Sequence, residues 1–248
     1  MEEENKEIKD NLDELIDRAE EDFNNQDNPF IPAGAGIQIK NGGTLNMTGG
    51  TIIGNRVTGS HGGAGLAVIN GGTAFLSGNA QIKYNYTSDW GGGVYIDWNS
   101  TVSISGAVEI MYNKGLSGIH DKGTLNISGR PKILDNIAEE GGKGIRVENN
   151  ININGPLTGG TISIYMNMYF NEYGRGQFSN PSSYINENMI SMFSGENGTV
   201  VMGLGDTENY LMMEDDQGET WQVSYDANGG TGAPEPQTVT KSNSINIP

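Results

Sequence analysis

With 38 glycines, 18% charged residues and no cysteine in 248 positions, the chain reads as turn-rich β architecture. That composition argues against an α/β enzyme and excludes a disulfide framework or a thiolate metal centre. The net charge of −17 is divided as −9 over residues 1–28, +1 over 29–155 and −9 over 156–248, a field that repels phosphate backbones and argues against a nucleic-acid partner.

The first 28 residues form a separate segment. Ile8, Leu12, Leu15, Ile16, Ala19 and Phe23 recur at spacings of three and four, which predicts an amphipathic helix over residues 3–24, ended by the polar run before Pro29. A lone helix of that length is marginal in water. Its stripe is expected to cap an open β stack, with a coiled-coil dimer as the other use. Met1 runs directly into Glu2, Glu3 and Glu4, so no leader is read, and no apolar run approaches the roughly 20 residues of a membrane span.

Residues 29–155 repeat. The string Gly42-Gly43-Thr44-Leu45-Asn46-Met47-Thr48-Gly49-Gly50-Thr51-Ile52-Ile53-Gly54-Asn55 returns in altered form at Gly72, Ser100, Gly123 and, more degenerately, Asn150. Aligned, the copies give three short strands per period with aliphatic columns. These are Ile37, Leu66, Val94, Ile119 and Ile145; Leu45, Ala74, Val102, Leu125 and Ile151; and Ile52, Ile82, Ile110 and Ile133. No helical stretch interrupts the period. The pattern predicts an all-β, right-handed parallel β-helix of about five coils, roughly 24 Å long at ~4.8 Å per coil. Asn55, Asn85, Asn113 and Asn136 mark a corner where side-chain amides bond the coils above and below and αL backbone is tolerated. Gly49, Gly78, Gly106, Gly129 and Gly155 are expected to end the second strand. Coils four and five are two residues shorter before the second strand, which is expected to move Asp121 out of the core.

Residues 156–221 lose the period and are expected to form an irregular β extension closing the column, with a hairpin and acidic turn over 211–218. From Gln222 the composition changes again, to Val223-Ser224-Tyr225-Asp226-Ala227-Asn228-Gly229-Gly230-Thr231-Gly232.

The repeats resemble those of pectin-lyase-like β-helix proteins on bacterial surfaces, including adhesin-like proteins of gut Gram-positive bacteria; the likeness spans residues 34–155. Residues 222–248 resemble the start of a Listeria–Bacteroides (internalin-type B) repeat. Together these resemblances imply a cell-surface, extracellular protein whose leader and anchor lie outside this chain, with a host or microbial surface glycan or protein as partner and no cofactor. They leave oligomeric state open.

Function then rests on outward residues. The first strand presents Gln38, Ala67, Tyr95, His120 and Arg146, and beside them Lys40, Ile69, Asp97, Lys122 and Glu148. The resemblance makes His120, Arg146, Asp97 and Lys122 the candidates for a polysaccharide lyase or glycoside hydrolase. Lyases of this fold use a carboxylate cluster for calcium and a base beside a uronate. Asp97 and Glu148 with Lys122 between them are also the pattern of cross-strand ion pairing. His61 and His120 are expected on the surface and form no metal site. For a non-catalytic binder the candidates are Tyr86, Trp90, Tyr95 and Trp98, which with Phe75 present rings to a sugar face or a protein, or else shield strand edges. A structural stalk needs none of these.

Overall fold

The structure is a computed structural model that describes residues 36–57, 62–138, 142–166, 175–214, 220–223 and 237–240. The expected N-terminal helix, His61 and most of residues 222–248 lie outside these.

The repeats form a right-handed parallel β-helix of about five coils. Its first wall stacks Ile37–Ile39, Leu66–Val68, Val94–Ile96, Ile119–Asp121 and Ile145–Val147. The second stacks Thr44–Met47, Thr73–Leu76, Thr101–Ile104, Thr124–Gly129 and Asn152–Leu157. The third stacks Thr51–Ile53, Gln81–Lys83, Glu109–Met111 and Lys132–Ile133. Each aliphatic column read from the sequence is in register and lines one continuous core. Alternating side chains put one row inward and the next outward, so a single-residue slip on any wall would expose a whole column.

The corner asparagines form a ladder. Asn55, Asn85 and Asn113 each donate Nδ2–H and backbone N–H to Oδ1 of the asparagine on the next coil, at 2.8–3.1 Å. The Nδ2 groups also donate to backbone carbonyls two residues upstream. Asn113 is fully buried, and the ladder satisfies its amide without water. The αL residue is not the asparagine but the one before it. Gly54, Tyr84, Tyr112 and Asp135 have φ of 70°, 55°, 59° and 54°, an unusual backbone for tyrosine that the ladder holds in place.

Asp121 stays in the core. It pairs in register with Ile96 and Val147 and is fully buried, because the two-residue shortening falls entirely within the turn. In the longer corners the turn closes through a backbone carbonyl, Gly43 N–H donating to Lys40 O and Gly72 N–H to Ile69 O. In the shortened corner Gly123 N–H donates to Asp121 Oδ1 at 3.2 Å, so a side-chain carboxyl oxygen replaces the carbonyl. Gly155 likewise departs from its column. The register shifts after Ile127, and Gly129 pairs with Leu157.

The stack continues through Thr161–Met166, which runs straight where earlier coils turn. Its first half pairs with Lys132–Ile133 of the third wall and its second half with Ile145–Val147 of the first, joining them into one sheet of eleven strands. Phe193–Gly195 adds one further layer on this strand. Glu196 closes the end of the asparagine corner. Its carboxylate accepts from Gly142, Lys143 and Gly144 N–H at 2.8, 2.9 and 3.1 Å and from Ser163 Oγ at 2.7 Å. Phe178, Ile185 and Met189 bury against the same core.

Arg175–Gln177 and Thr199–Gly203 flank Tyr210–Glu214 in an antiparallel sheet. The strand beginning at Tyr210 is thus the second arm of a hairpin that starts at Thr199; the expected acidic turn after Glu214 lies outside the described residues. Thr220–Val223 and Gln237–Thr240 pair antiparallel.

Candidate functional site

The outward row of the first wall is brought together in register: Tyr95, His120, Arg146 and, one layer on, Tyr165. The middle of the row is not open to solvent: His120 and Arg146 are buried, whereas Tyr95 and Tyr165 are partly exposed. Trp90 lies on the corner that links the third wall of coil two to the first wall of coil three. The next such corner, from Asn113 to Gly118, is three residues shorter than the one from Asn85 to Gly93, which leaves room for the indole to lie along the wall. Its ring centroid is 4.5 Å from that of His120, and the Arg146 guanidinium sits 4.8 Å over it. Tyr95 stacks on His120 at 5.8 Å, and Arg146 also reaches Tyr165 at 5.4 Å. His120 is consequently 0% exposed, a correction to its expected place on the surface: outward parity means exposure only where no second layer covers the wall.

This setting fixes the protonation of the row. Burial, reinforced by the Lys122 and Arg146 charges, pushes the His120 imidazole down to about 3, so it is neutral near pH 7. Neither ring nitrogen makes a hydrogen bond among the described residues; Nε2 is 3.2 Å from Glu148 Oε1 but outside hydrogen-bond alignment. Burial, together with Asp97 beside it, raises the Tyr95 phenol to about 12, and its hydroxyl donates to Asp97 Oδ1 at 3.4 Å. Lys122 turns its ammonium to the Trp90 ring at 5.6 Å in place of the expected pairing with Asp97 and Glu148. One residue further, on the inward face, Asp121 is raised to about 8 by burial; its Oδ2 has no hydrogen-bond partner among the described residues.

The aromatic candidates separate by environment. Tyr86 is half-buried, with Arg56 of the coil before 4.3 Å and Lys114 of the coil after 5.3 Å from its ring centroid, so neighbouring coils supply cations to its ring. Trp90 and Tyr95 belong to the packed row. Trp98 and Phe75 are the rings that stand out, 59% and 44% exposed. Sequence reasoning passed over the stacked pair Tyr84 and Tyr112, whose rings lie 5.4 Å apart at 17°; their recurrence immediately before two ladder asparagines was the available signal. It also passed over Glu196, which no periodicity marks.

Among the described residues no three His, Asp or Glu side chains come together in a way that would hold a metal ion, and no helix is long and apolar enough to cross a membrane. Comparison with known proteins finds no matching family model, no matching curated protein and no matching solved structure.

Proposed function

We propose that the protein is a non-catalytic binding scaffold of a bacterial cell surface, a stiff β-helix that presents ring-bearing surface to a glycan. The observation that carries this reading is the contrast on one column between a sealed row and open rings. The imidazole of His120 is packed beneath Trp90, whereas Trp98 and Phe75 face water. A buried, neutral imidazole without a hydrogen-bond partner is poorly placed to take a proton from a polymer. Exposed aromatics are the means by which rigid proteins grip sugar faces or partner proteins. The surface location rests on the resemblance of the repeats and of residues 222–248.

The second reading is a polysaccharide lyase or glycoside hydrolase working through His120, Arg146, Asp97 and Lys122. It draws support from the in-register Tyr95, His120 and Arg146 on consecutive coils. A glycan array read together with reducing-sugar and unsaturated-uronate assays decides between them. Binding without turnover is the expected result. Turnover that disappears in His120→Ala and Arg146→Ala overturns the scaffold reading. Binding to surface proteins alone moves the partner to that class, and no binding of either kind leaves a stalk.

A further inference from the structure

The corner between the first and second walls changes length halfway down the column. In coils one to three it is long; in coils four and five it loses two residues. The walls keep their register across this change, so the missing residues come off the surface and leave a step. Gly123 lies directly under the last long corner: a Cβ there would come within 2.5 Å of Ser100 O and 2.6 Å of Asp97 O. Those two carbonyls bracket the turn that carries Trp98.

Below that turn opens a shallow cleft of about 430 Å³ lined by Gly123, Thr124, Glu148, Asn149, Asn152 and Asn180, with Asn150 beside them. Its size falls in the range of small-molecule pockets, roughly 300–1,000 Å³. Trp98, carried on the turn that Gly123 lies against, is an exception in its column. Asn41 and Asn70, at the same turn position, have φ of 55° and 49°, which a bulky side chain adopts only at a cost. The residue after each is positive as well, Gly42 at 75° and Gly71 at 78°; coil three keeps only that second position, Asn99 at 62°, and Trp98 is relieved of it. A change of turn thus admits a large ring at the one corner that overlooks the step.

The lining specifies the chemistry of an occupant. It offers amide N–H and C=O groups, one hydroxyl and one carboxylate, and no lysine or arginine. Some of this capacity is used internally: Asn180 donates to Asn152 Oδ1, Asn152 to Asn126 Oδ1, and Asn149 to Lys122 O. The Thr124 hydroxyl and the side-chain carbonyls of Asn149 and Asn150 have no partner among the described residues. A pyranose has an apolar face of C–H groups and a rim of hydroxyls that donate and accept together, matching an exposed indole on the adjoining turn and a floor of amides. Glu148 and the net charge of −17 disfavour a carboxylated or sulfated sugar.

We infer that the step under Trp98 is a binding site for a neutral oligosaccharide, with the indole stacking on one sugar ring and Thr124, Asn149 and Asn150 holding hydroxyls of the same or the adjoining ring. This assignment rests on the glycan-binding reading above and gives it a place and a ligand class.

The test uses the whole chain against immobilised neutral gluco-, manno-, galacto- and N-acetylglucosamine oligomers, with oligogalacturonate as the charged probe. Binding to at least one neutral series is expected, weakened about tenfold in Trp98→Ala, largely restored in Trp98→Tyr and unchanged in Ile53→Ala, which trims an equally exposed side chain on the third wall. Thr124→Val, which keeps the shape and removes the hydroxyl, is expected to weaken binding several-fold. If neutral glycans bind and the loss follows Trp90→Ala or Tyr95→Ala while Trp98→Ala is silent, the step is not the site and the scaffold reading survives. Preference for oligogalacturonate overturns the assignment in the same way. Absence of binding to every glycan removes both.

Discussion

The covered face of the first wall and the step beside it are built on the same coils, and several of their residues are immediate neighbours in sequence. His120, 0% exposed, and Gly123, which lines the cleft, are three positions apart. One surface is closed and the other open, and the cause is the same kind of change in both. Where a long corner is followed by a short one on the Trp90 side, the long corner's side chain reaches down over the wall and seals it. Where the same succession occurs on the Trp98 side, the shortened corners fall back and leave space below an exposed ring. Relief on this molecule is set by corner length, while the first wall keeps one register throughout.

The most damaging change should strike what the two surfaces share. Asn113→Ala removes Nδ2 donors to Ile82 O, Met111 O and Asn136 Oδ1 and strips Asn85 of its acceptor. Stranding that many buried groups is expected to cost about 3–5 kcal/mol, read from urea unfolding, with lid and step lost in one transition. Next in size is Asp121→Asn, which keeps an oxygen for Gly123 N–H and removes the titration. The buried carboxyl holds its proton up to about pH 8 against an ordinary value near 3.9. Its contribution to stability is full below the ordinary value and is lost as pH rises to about 8. The variant should therefore gain over the parent as pH increases, by about 2–4 °C of melting temperature per kcal/mol, with no gain near pH 4.

Trp90→Ala sharpens the comparison from the covered side. Losing the stack on His120 and the contact with Arg146 is expected to cost about 2 kcal/mol. It should also open the wall, so that in NMR titration His120 moves from about 3 towards the ordinary ~6.5. In the parent the depressed value acts opposite to that of Asp121: stability is present above ~6.5 and is lost as pH falls towards about 3. For this strand the two effects offset one another between about pH 4 and 6.5, and melting temperature across that window should be flatter than in either Asp121→Asn or His120→Gln. The smallest effect belongs to the open side. Trp98→Ala, at a ring 59% exposed, is expected to shift stability by under about 0.5 kcal/mol; a larger shift would mean the ring supports the fold.

The walls were legible in the sequence because their chemistry is periodic. Ile52, Ile82, Ile110 and Ile133 stand at a fixed distance from an asparagine, and the structure keeps both the column and the ladder. Corner length misleads at Asp121 and parity at His120. The two-residue shortening of coil four points Asp121 out of the core, yet the turn there needs an acceptor, and the residue supplies one while staying in register. His120 was assigned to the surface because its row points outward, yet a tryptophan thirty positions earlier lies over it. The unequal corner lengths were in the sequence all along; the direction in which a long corner leans depends on the corner beneath it, which no single repeat reveals.

The straight strand Thr161–Met166 has a consequence for how such a protein can change in size. A new coil can be copied into the array only where the chain already turns at three corners, since both ends of the insert must meet backbone of the same cross-section. The described layers between residues 36 and 157 stack one period on the next, and duplication of one period there would lengthen the column by a single ~4.8 Å layer. At Thr161–Met166 two walls have merged and the asparagine corner between them has gone, so a copied coil finds no matching outline on the far side. The molecule is extensible at one end of its history and sealed at the other.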